Sequence, residues 1–381
     1  MVRKPVLVIG GGLAGAGLAV TLASAGRAVT LVERETQPHH KVCGEFVSAE
    51  AMLYLRDLGI DLESLGAVRI DKVCIIAGEK RATVVLPFPA LSLSRLVLDD
   101  ALLSRAVACG ARVERGHRAI GINREGPSWR AALDDGSAIS ASDIFLATGK
   151  HDLRGWKRGP GTQNDLIGFK LHWRLTDAQA QALRSAVELF LFPGGYAGLE
   201  PIESGRVNLC LVVRRQEFFT HGQSWEAFFA WLLRICPHLR QRLSDAQPCW
   251  ARPLAISTLP YGFVQRRSDG LWRLGDQAAC IPSFSGDGMS IALHSARLAA
   301  HHFLEGDDVE AFQMRLAQDV THQVRRATLL SQMLLQPFGQ KAGMAAIRHL
   351  PALLRVAARA TRISENHIRA ARADILGSSA M

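Results

Sequence analysis

The feature that most constrains the fold is a glycine-rich turn near the start of the chain. Val6–Ile9 is an apolar, β-branched run, as expected for a central parallel strand. The sequence GGGLAG follows directly over residues 10–15 and fits GxGxxG. A helical segment over 13–24 and a second strand over 28–32 come next, and this strand ends at Glu33. This order predicts a βαβ unit that binds a dinucleotide.

Each conserved position of such a turn has a physical task. Gly10 permits the tight turn, Gly12 lets the backbone approach a pyrophosphate, and Gly15 lets the helix pack closely on the strand. The helix N-terminus directs free N–H groups and its positive dipole end at the phosphates. Glu33, 18 residues after Gly15, can accept hydrogen bonds from a ribose. Its negative charge disfavours a 2′-phosphate.

Charge and cysteine usage exclude other classes. The net charge is +10, from 45 Lys and Arg against 35 Asp and Glu, which is compatible with nucleic acid, anionic lipid or an acidic protein as partner. The basic residues are scattered, and no zinc-finger or RNA-recognition pattern accompanies them, so we predict no nucleic-acid binding. Seven scattered cysteines without a CxxC pair argue against a disulfide framework and against a metal site. We therefore expect a reducing, cytoplasmic environment.

The uncharged stretch over 5–26 superficially resembles a secretory signal or a membrane span. Six glycines fall inside it, which would weaken a membrane helix but suit a phosphate-binding turn. We interpret the stretch as the nucleotide-binding unit.

The N-terminal pattern extends as GxGxxGxxxAxxLAxxGxxVxLVER, from Gly10 to Arg34. It resembles the FAD-dependent hydroxylases of the p-hydroxybenzoate hydroxylase fold and the related geranylgeranyl reductases, over about residues 5–305. The resemblance implies an α/β fold, with a Rossmann-type FAD-binding domain, an inserted antiparallel-sheet substrate domain and a C-terminal helical region.

Two further segments support the resemblance. The sequence KVCGE over 41–45 is similar to the KxCG segment of geranylgeranyl reductases, where the cysteine lies near the flavin, so Cys43 is a candidate catalytic residue. A buried thiol beside a turn glycine is the alternative. Arg95 begins a helix, and the resemblance implies that it reaches the FAD ribityl or phosphate region. A guanidinium suits this role because it stays charged and offers several donors; a surface arginine at a helix start is the alternative.

The third segment follows a strand over 271–274. Gly275-Asp276, Pro282 and Gly286-Asp287-Gly288-Met289 precede a helix that runs through about Phe303. This resembles the GD motif, which implies that Asp276 binds ribityl hydroxyls and that the 286–288 backbone passes close to the isoalloxazine. The helix N-terminus would stabilise negative charge on reduced flavin. The residues predicted to bind FAD are Gly10, Gly12, Leu13, Ala14, Gly15, Glu33, Arg34, Lys41, Cys43, Gly44, Arg95, Gly275, Asp276, Gly286, Gly288 and Met289.

The predicted FAD domain is discontinuous, over 1–67, 93–150 and 256–305, with a substrate domain over 68–92 and 151–255 and C-terminal helices over 306–381. Segments 70–92 and 165–215 contain strand candidates for an antiparallel sheet over the flavin. YAGLEP at 196–201 occupies the place of the YxWxFP segment of the geranylgeranyl-reductase tunnel. The residues predicted to line the substrate site are Tyr196, Gly198, Glu200 and Pro282. Because Gly198 and Glu200 replace aromatic residues, a polyprenyl substrate is not favoured, and a β-turn is an equally good interpretation.

Near the C-terminus, Leu350, Leu353, Leu354 and Ala357 form one stripe, and Arg355, Arg359, Arg362, Arg369 and Arg372 form the other. Such a helix usually packs on the protein with its basic face in water, which we favour. Peripheral contact with an anionic membrane, or with an acidic carrier protein, is the alternative.

The sequence leaves four functions open. We favour a monooxygenase in which NADH or NADPH reduces FAD and a small apolar or aromatic substrate, free or bound to a carrier protein, is hydroxylated. An alkene reductase is supported by the KxCG segment. A flavin halogenase is less favoured because the WxWxIP segment is absent, and a flavin-binding sensor is the non-enzymatic alternative. The DG motif of the hydroxylases is imperfect at 148–154, and neither a general base nor an oligomeric state is indicated.

Overall fold

The computed structural model describes residues 5–350 and 352–376. The strands of these residues are β1 (Val6–Ile9), β2 (Val29–Glu33), β3 (Phe46–Val47), β4 (Val68–Ala77), β5 (Lys80–Ser92), β6 (Arg112–Arg115), β7 (Ala119–Glu125), β8 (Ser128–Leu133), β9 (Ala138–Ala141), β10 (Ile144–Leu146), β11 (Leu166–Arg174), β12 (Ala186–Phe192), β13 (Gly195–Pro201), β14 (Val207–Arg214), β15 (Gln247–Pro248), β16 (Leu254–Ser257), β17 (Phe263–Val264), β18 (Trp272–Arg273) and β19 (Ala279–Cys280).

The α-helices of the same residues are α1 (Leu13–Ser24), α2 (Ala49–Asp57), α3 (Arg95–Ala108), α4 (Asp177–Leu183), α5 (Arg215–Thr220), α6 (Trp225–Ile235), α7 (Pro237–Leu243), α8 (Gly288–Glu305), α9 (Val309–Leu334), α10 (Pro337–His349), α11 (Ala352–Ala360) and α12 (Glu365–Leu376). Among the described residues, none of these helices combines the length and the apolar character needed to span a bilayer.

A five-stranded parallel sheet forms the cofactor half, in the order β18-β10-β1-β2-β6. Every residue of β1 is buried, because α1 and α8 pack on one face and the small antiparallel sheet β7-β8-β9 packs on the other. A Cβ at position 15 would lie 1.9 Å from the carbonyl oxygen of Gly10. Only glycine therefore lets α1 sit this close to the turn.

A nine-stranded sheet forms the substrate half. Eight strands follow the order β15-β11-β14-β13-β12-β4-β5-β3, and β16 pairs with β11. All pairs are antiparallel except β12 with β4, which is parallel. One face carries an apolar cluster shared with α6 and α7. The predicted α/β fold class is confirmed, including the inserted sheet and the C-terminal helices.

Two local expectations are wrong. The segment at 196–201 is not a β-turn, because it is the body of strand β13 between β12 and β14. The amphipathic C-terminal helix is not continuous, because α11 ends at Ala360 and α12 begins at Glu365.

The predicted two-stripe arrangement of this C-terminal region also differs from the structure. Leu354 is half-buried, but Leu350 and Leu353 are exposed. Arg362 turns inward and lies 3.0 Å from a carboxylate oxygen of Glu50. The apolar stripe therefore faces outward in part, and one of the arginines assigned to the solvent side forms a buried ion pair.

Candidate active site

A cavity of about 440 Å³ lies where the carboxyl ends of β1 and β2 meet the nine-stranded sheet. All of the residues predicted to bind FAD line this cavity, except Gly15, which lies under α1 against the turn. Their role in binding is a prediction, but the structure brings them together around one space. In open α/β sheets, ligands generally bind in the crevice at the carboxyl ends of the parallel strands.

The glycine turn fits a diphosphate. Gly10 has φ +108°, and a Cβ there would lie 2.5 Å from the carbonyl oxygen of Ala147. Gly12 is the N-cap of α1 and offers no side-chain cap, so the first amides of the helix point at the cavity without a side-chain partner at this position. A Cβ on Gly12 would lie 3.4 Å from Arg95 and 3.5 Å from Lys41. Backbone donors and two cations therefore surround the same point.

Glu33 is held by the turn that it follows. The amide of Gly11 donates to its Oε2 at 2.7 Å, and the amide of Glu35 donates to its Oε1 at 3.1 Å. The side chain is buried and lines the cavity. These two bonds fix the carboxylate at the end of β2, the position at which it can accept hydrogen bonds from a ribose.

Arg95 belongs to a cluster that the sequence did not predict. Its guanidinium makes two hydrogen bonds to Asp99, at 2.7 and 2.9 Å, and Lys41 lies 2.7 Å from the same carboxylate. Burial alone would raise the pKa of Asp99, but Arg95 and Lys41 outweigh it and lower the pKa. The alternative of a surface arginine is wrong, because its side chain is 14% exposed. Two cations against one anion leave positive charge beside the glycine turn.

Lys150 and Asp276 meet on the other side of the cavity. The Lys150 ammonium lies 3.4 Å from the Asp276 carboxylate and 3.5 Å from the carbonyl oxygen of Val42. Burial would lower the pKa of Lys150, but the negative charges of Asp276 and of a Cys43 thiolate raise it. Gly286 has φ +69°, and a Cβ there would lie 2.6 Å from the Phe46 ring. The backbone at 286–288 can therefore approach the cavity closely.

Cys43 lies on the cavity wall and is half-buried, so the alternative of an enclosed thiol does not hold. The amide of Glu45 donates to its sulfur at 3.3 Å. Burial would lower the pKa of Arg95, but Asp99 and then the Cys43 thiolate raise it. The sulfur therefore shares the cavity wall with two cations, Arg95 and Lys150, and accepts a hydrogen bond from one backbone donor.

Beside Cys43 lies a set of buried polar side chains that we call the polar floor. It consists of Glu45, Lys170, His172, Glu200 and Asn208. Four of these come from β11, β13 and β14, where Asn208 pairs with both His172 and Glu200, so their side chains share one face of the sheet. Glu45 comes from the loop after Cys43.

Glu45 is the anion of the polar floor. Its Oε1 accepts from the ammonium of Lys170 and from the amide of Arg95, and its Oε2 accepts from Nε2 of His172 at 2.8 Å. Burial alone would raise the pKa of Glu45, but Lys170 and His172 lower it to about 2. Burial lowers the pKa of His172 more than Glu45 raises it, so this imidazole is neutral and donates through Nε2.

Glu200 has the opposite state. It is buried, and its Oε2 has no hydrogen-bond partner. Burial, and then the negative charges of Glu45 and Cys43, raise its pKa well above the usual value. Its neighbour Asn208 donates to the carbonyl oxygens of Cys43 at 3.1 Å and Gly44 at 2.9 Å. A neutral carboxylic acid therefore lies behind the loop that carries the thiol.

The four residues predicted to line the substrate site do not lie on the wall of this cavity. Tyr196 is enclosed by the sheet, and its hydroxyl hydrogen-bonds to Ser283 at 2.8 Å. Gly198 and Glu200 share its strand, and Pro282 lies between two wall residues, Ile281 and Ser283. Strand β13 places the first three behind the wall, and apolar residues that do line the cavity on this side include Val212, Ile256, Leu259 and Tyr261.

Comparisons with known proteins agree with this geometry. The model of a family described as FAD binding domain matches residues 3–144. Menaquinone reductase of Mycobacterium tuberculosis is 27% identical over 313 residues, which cover 77% of this chain and 75% of that protein. Digeranylgeranylglycerophospholipid reductase 2 of Methanopyrus kandleri is 27% identical over 338 residues, with 82% and 81% covered. Squalene monooxygenase of Rattus norvegicus is 36% identical, but over 86 residues that cover 22% of this chain and 15% of that protein.

Among solved structures, the flavin-dependent brominase Bmp2 superposes with a TM-score of 0.76 at 18% identity, with 99% of each chain covered. CmlS, a flavin-dependent halogenase, gives a TM-score of 0.76 at 20% identity, with 99% of this chain and 78% of that chain covered. At these identities the likeness shows the fold. The family match over residues 3–144, the similarity to the two reductases and the arrangement of the cavity all point to the superfamily of FAD-dependent oxidoreductases.

Proposed function

We propose that this enzyme is a reductase that saturates a carbon–carbon double bond of an apolar, isoprenoid-like substrate, with NADH or NADPH as the source of electrons. One observation carries the proposal: the Cys43 thiol shares the wall of one cavity with Arg95 and Lys150. The two reductases to which most of the chain is similar support it. Bound FAD, once reduced by NADH or NADPH, would supply the hydride.

The residues of the cofactor half fit FAD part by part. The turn at 10–12 with Arg95 and Lys41 would hold the diphosphate, and Glu33 would hold the ribose. Asp276 would accept hydrogen bonds from the ribityl chain. The N-terminus of α8, which begins at Gly288, would stabilise negative charge on the reduced ring.

Saturation of a double bond adds a hydride to one carbon and a proton to the other. Cys43 is the proton donor in this proposal, and its Sγ–H bond breaks as the new C–H bond forms. The thiolate that is left would be stabilised by the nearby cations Arg95 and Lys150 and by the amide of Glu45. This stabilisation lowers the free energy of the Cys43 thiolate, which forms when the thiol protonates the substrate.

Glu200 supplies the next proton. Burial and neighbouring negative charge disfavour its ionisation and raise its pKa well above the usual value, so we assign it the protonated form in this proposal. Asn208, its cross-strand neighbour, is bonded to the backbone of Cys43 and Gly44. Glu200 is thus close enough to respond electrostatically to the thiolate, and its proton restores the thiol after turnover.

The monooxygenase that the sequence favours is the second candidate, and the partial match to squalene monooxygenase supports it. An accessible thiol argues against it, because a cysteine beside a site of oxygen activation is exposed to oxidation to a sulfenic acid. The match to the reductases also extends over most of this chain, whereas the match to squalene monooxygenase covers 22% of it.

Product analysis separates the two candidates. The FAD-loaded enzyme is reduced with NADPH or dithionite and incubated with a prenylated quinone, once without oxygen and once with it. The proposal expects that, without oxygen and after the quinone ring has been reoxidised, the product carries two additional hydrogen atoms in its prenyl side chain. A product with one additional oxygen atom, formed only with oxygen consumption, would show that the enzyme is a monooxygenase.

A further inference from the structure

The segment over 320–364 has an unusual charge composition. It contains no aspartate and no glutamate in 45 residues. Its basic residues are Arg325, Arg326, Lys341, Arg348, Arg355, Arg359 and Arg362. Seven of the chain's 45 Lys and Arg residues, and none of its 35 acidic residues, lie here, so this segment carries most of the net charge of +10.

The same segment exposes large apolar side chains. Among the described residues, eleven large hydrophobic residues are exposed, and six of them belong to this segment. These six are Leu329, Met333, Phe338, Leu350, Leu353 and Val356. Phe338 is 82% exposed and Val356 is 62% exposed. Single exposed hydrophobic residues are common on protein surfaces, but this concentration in one basic segment is not.

Helical spacing places the apolar and basic residues on shared outer faces. On α9, Leu329 and Met333 follow Arg325 at intervals of four residues, on the side away from the buried Val324 and Thr328. On α11, Leu353 and Val356 are three residues apart and are exposed together with Arg355 and Arg359. We call Arg325, Leu329, Met333, Phe338, Leu350, Leu353, Arg355, Val356 and Arg359 the basic apolar surface.

The inner side of these helices leads to the active site. Leu354 of α11 and Met344 of α10 belong to the apolar cluster that contains Leu259 and Tyr261. Leu259 and Tyr261 line the cavity. One layer of helices therefore carries the basic apolar surface on its outer side and contributes to the packing of the cavity wall on its inner side.

We propose that the basic apolar surface docks on an anionic lipid bilayer, with the exposed apolar side chains in the headgroup boundary and the arginines on acidic headgroups. An acidic protein could attract the same cations. A bilayer fits better because it accepts apolar side chains in any arrangement and presents uniform negative potential, whereas a protein would need a matching apolar surface. The proposal does not depend on which reaction the flavin performs.

Vesicle flotation tests this docking with the FAD-loaded full chain. Probes are vesicles of phosphatidylcholine alone and of phosphatidylcholine mixed with phosphatidylglycerol. We expect binding to the anionic vesicles that weakens with added salt, and little binding to the neutral ones. The double variants Leu353→Glu/Val356→Glu and Arg355→Glu/Arg359→Glu should each reduce the bound fraction about tenfold or more.

The matched control is Val107→Glu/Phe219→Glu, which changes two exposed apolar residues outside this segment and should leave binding unchanged. Flavin absorbance confirms that each variant is folded, and turnover of a short, soluble alkene separates docking from catalysis. Failure of the wild type to bind anionic vesicles overturns the proposal, as does an equal loss in the control. A loss with the arginine pair but not with the apolar pair would show that the apolar side chains do not enter the headgroup boundary, and it also overturns the proposal.

Discussion

The two halves of the cavity differ in how their charged groups were brought together. In the cofactor half, Glu33 is fixed by the amide of Gly11, and Arg95 by Asp99 four residues later, so each interaction joins neighbouring elements or one helix. In the polar floor, Glu45 meets Lys170 and His172 across 125 and 127 residues. Contacts of the first kind can be predicted from short sequence segments. Contacts of the second kind depend on the register of the strands in the nine-stranded sheet.

The two halves also differ in how their charged side chains are neutralised. The cofactor half carries cations that face a cavity and can be neutralised by phosphate. The side chains of Lys170 and Glu45 in the polar floor have 0% exposure, so no ligand in the cavity can neutralise them and the two charges depend on one another. Disruption should therefore impair cofactor binding in the first half and folding in the second.

The largest expected effect is that of Glu45→Gln. This change keeps the shape of the side chain but leaves the buried Lys170 ammonium without its anion. We expect the free energy of unfolding to fall by about 3–5 kcal/mol, as for other buried ion pairs that lose one partner. Urea denaturation measures it, and Glu79→Gln on the exposed turn before β5 is the control, expected to change stability by less than about 0.5 kcal/mol. Equal stability of both variants would show that the polar floor is not a stabilising network.

The next prediction concerns Cys43, which lies on the cavity wall beside the polar floor. Cys43→Ser replaces the thiol by a hydroxyl of similar size that is a much weaker acid than any thiol, so we expect turnover of an alkene to fall about 100-fold or more while FAD stays bound. Cys249→Ser, at an exposed cysteine, should leave turnover unchanged. Single-turnover kinetics after anaerobic reduction measure the effect. Normal turnover in Cys43→Ser would show that Cys43 is not the proton donor. It would not affect the prediction of which residues in the cofactor half bind FAD.

A third prediction concerns the glycine turn alone. Gly10 and Gly136 both have positive φ, +108° and +85°, but a Cβ would collide with Ala147 at Gly10 and would meet nothing within 4 Å at Gly136. Gly10→Ala should therefore lose about 2 kcal/mol more stability than Gly136→Ala, because only the first adds a steric overlap to the backbone strain. Thermal unfolding compares the two, and flavin absorbance should fall only in Gly10→Ala. Similar losses of stability in both variants would show that glycine is required at position 10 because of its positive φ and not because of the close contact with Ala147.

The difference between sequence-local contacts and contacts across the sheet explains what could be predicted from the sequence. The bounds of α1, the place of Glu33 at the end of β2 and the positions of Arg95 and Asp276 on the cavity wall followed from patterns within short segments. Asp99 could have been found, since it stands one helical turn after Arg95. Lys150 lies in the segment where the hydroxylase motif is imperfect, and that departure was the available signal. Lys170 and Asn208 gave no signal, and Glu200 was predicted to line the substrate site instead, because only the pairing of three strands places these residues beside Cys43.

The smallest expected effect separates the two glutamates of the polar floor by pH. Glu45 has a lowered pKa, so its contribution to stability is present above its usual pKa of 4.5 and is lost as the pH falls toward about 2. Glu200 has a raised pKa: its protonated form is favoured by folding, so its contribution is present below the usual value and is lost as the pH rises. Glu200→Gln cannot ionise, and it should therefore gain about 1 kcal/mol relative to the wild type between pH 5 and pH 6. Urea denaturation at both values measures this difference. Parallel curves for the two proteins would mean that Glu200 is ionised in the folded state, and it could not then return a proton to Cys43.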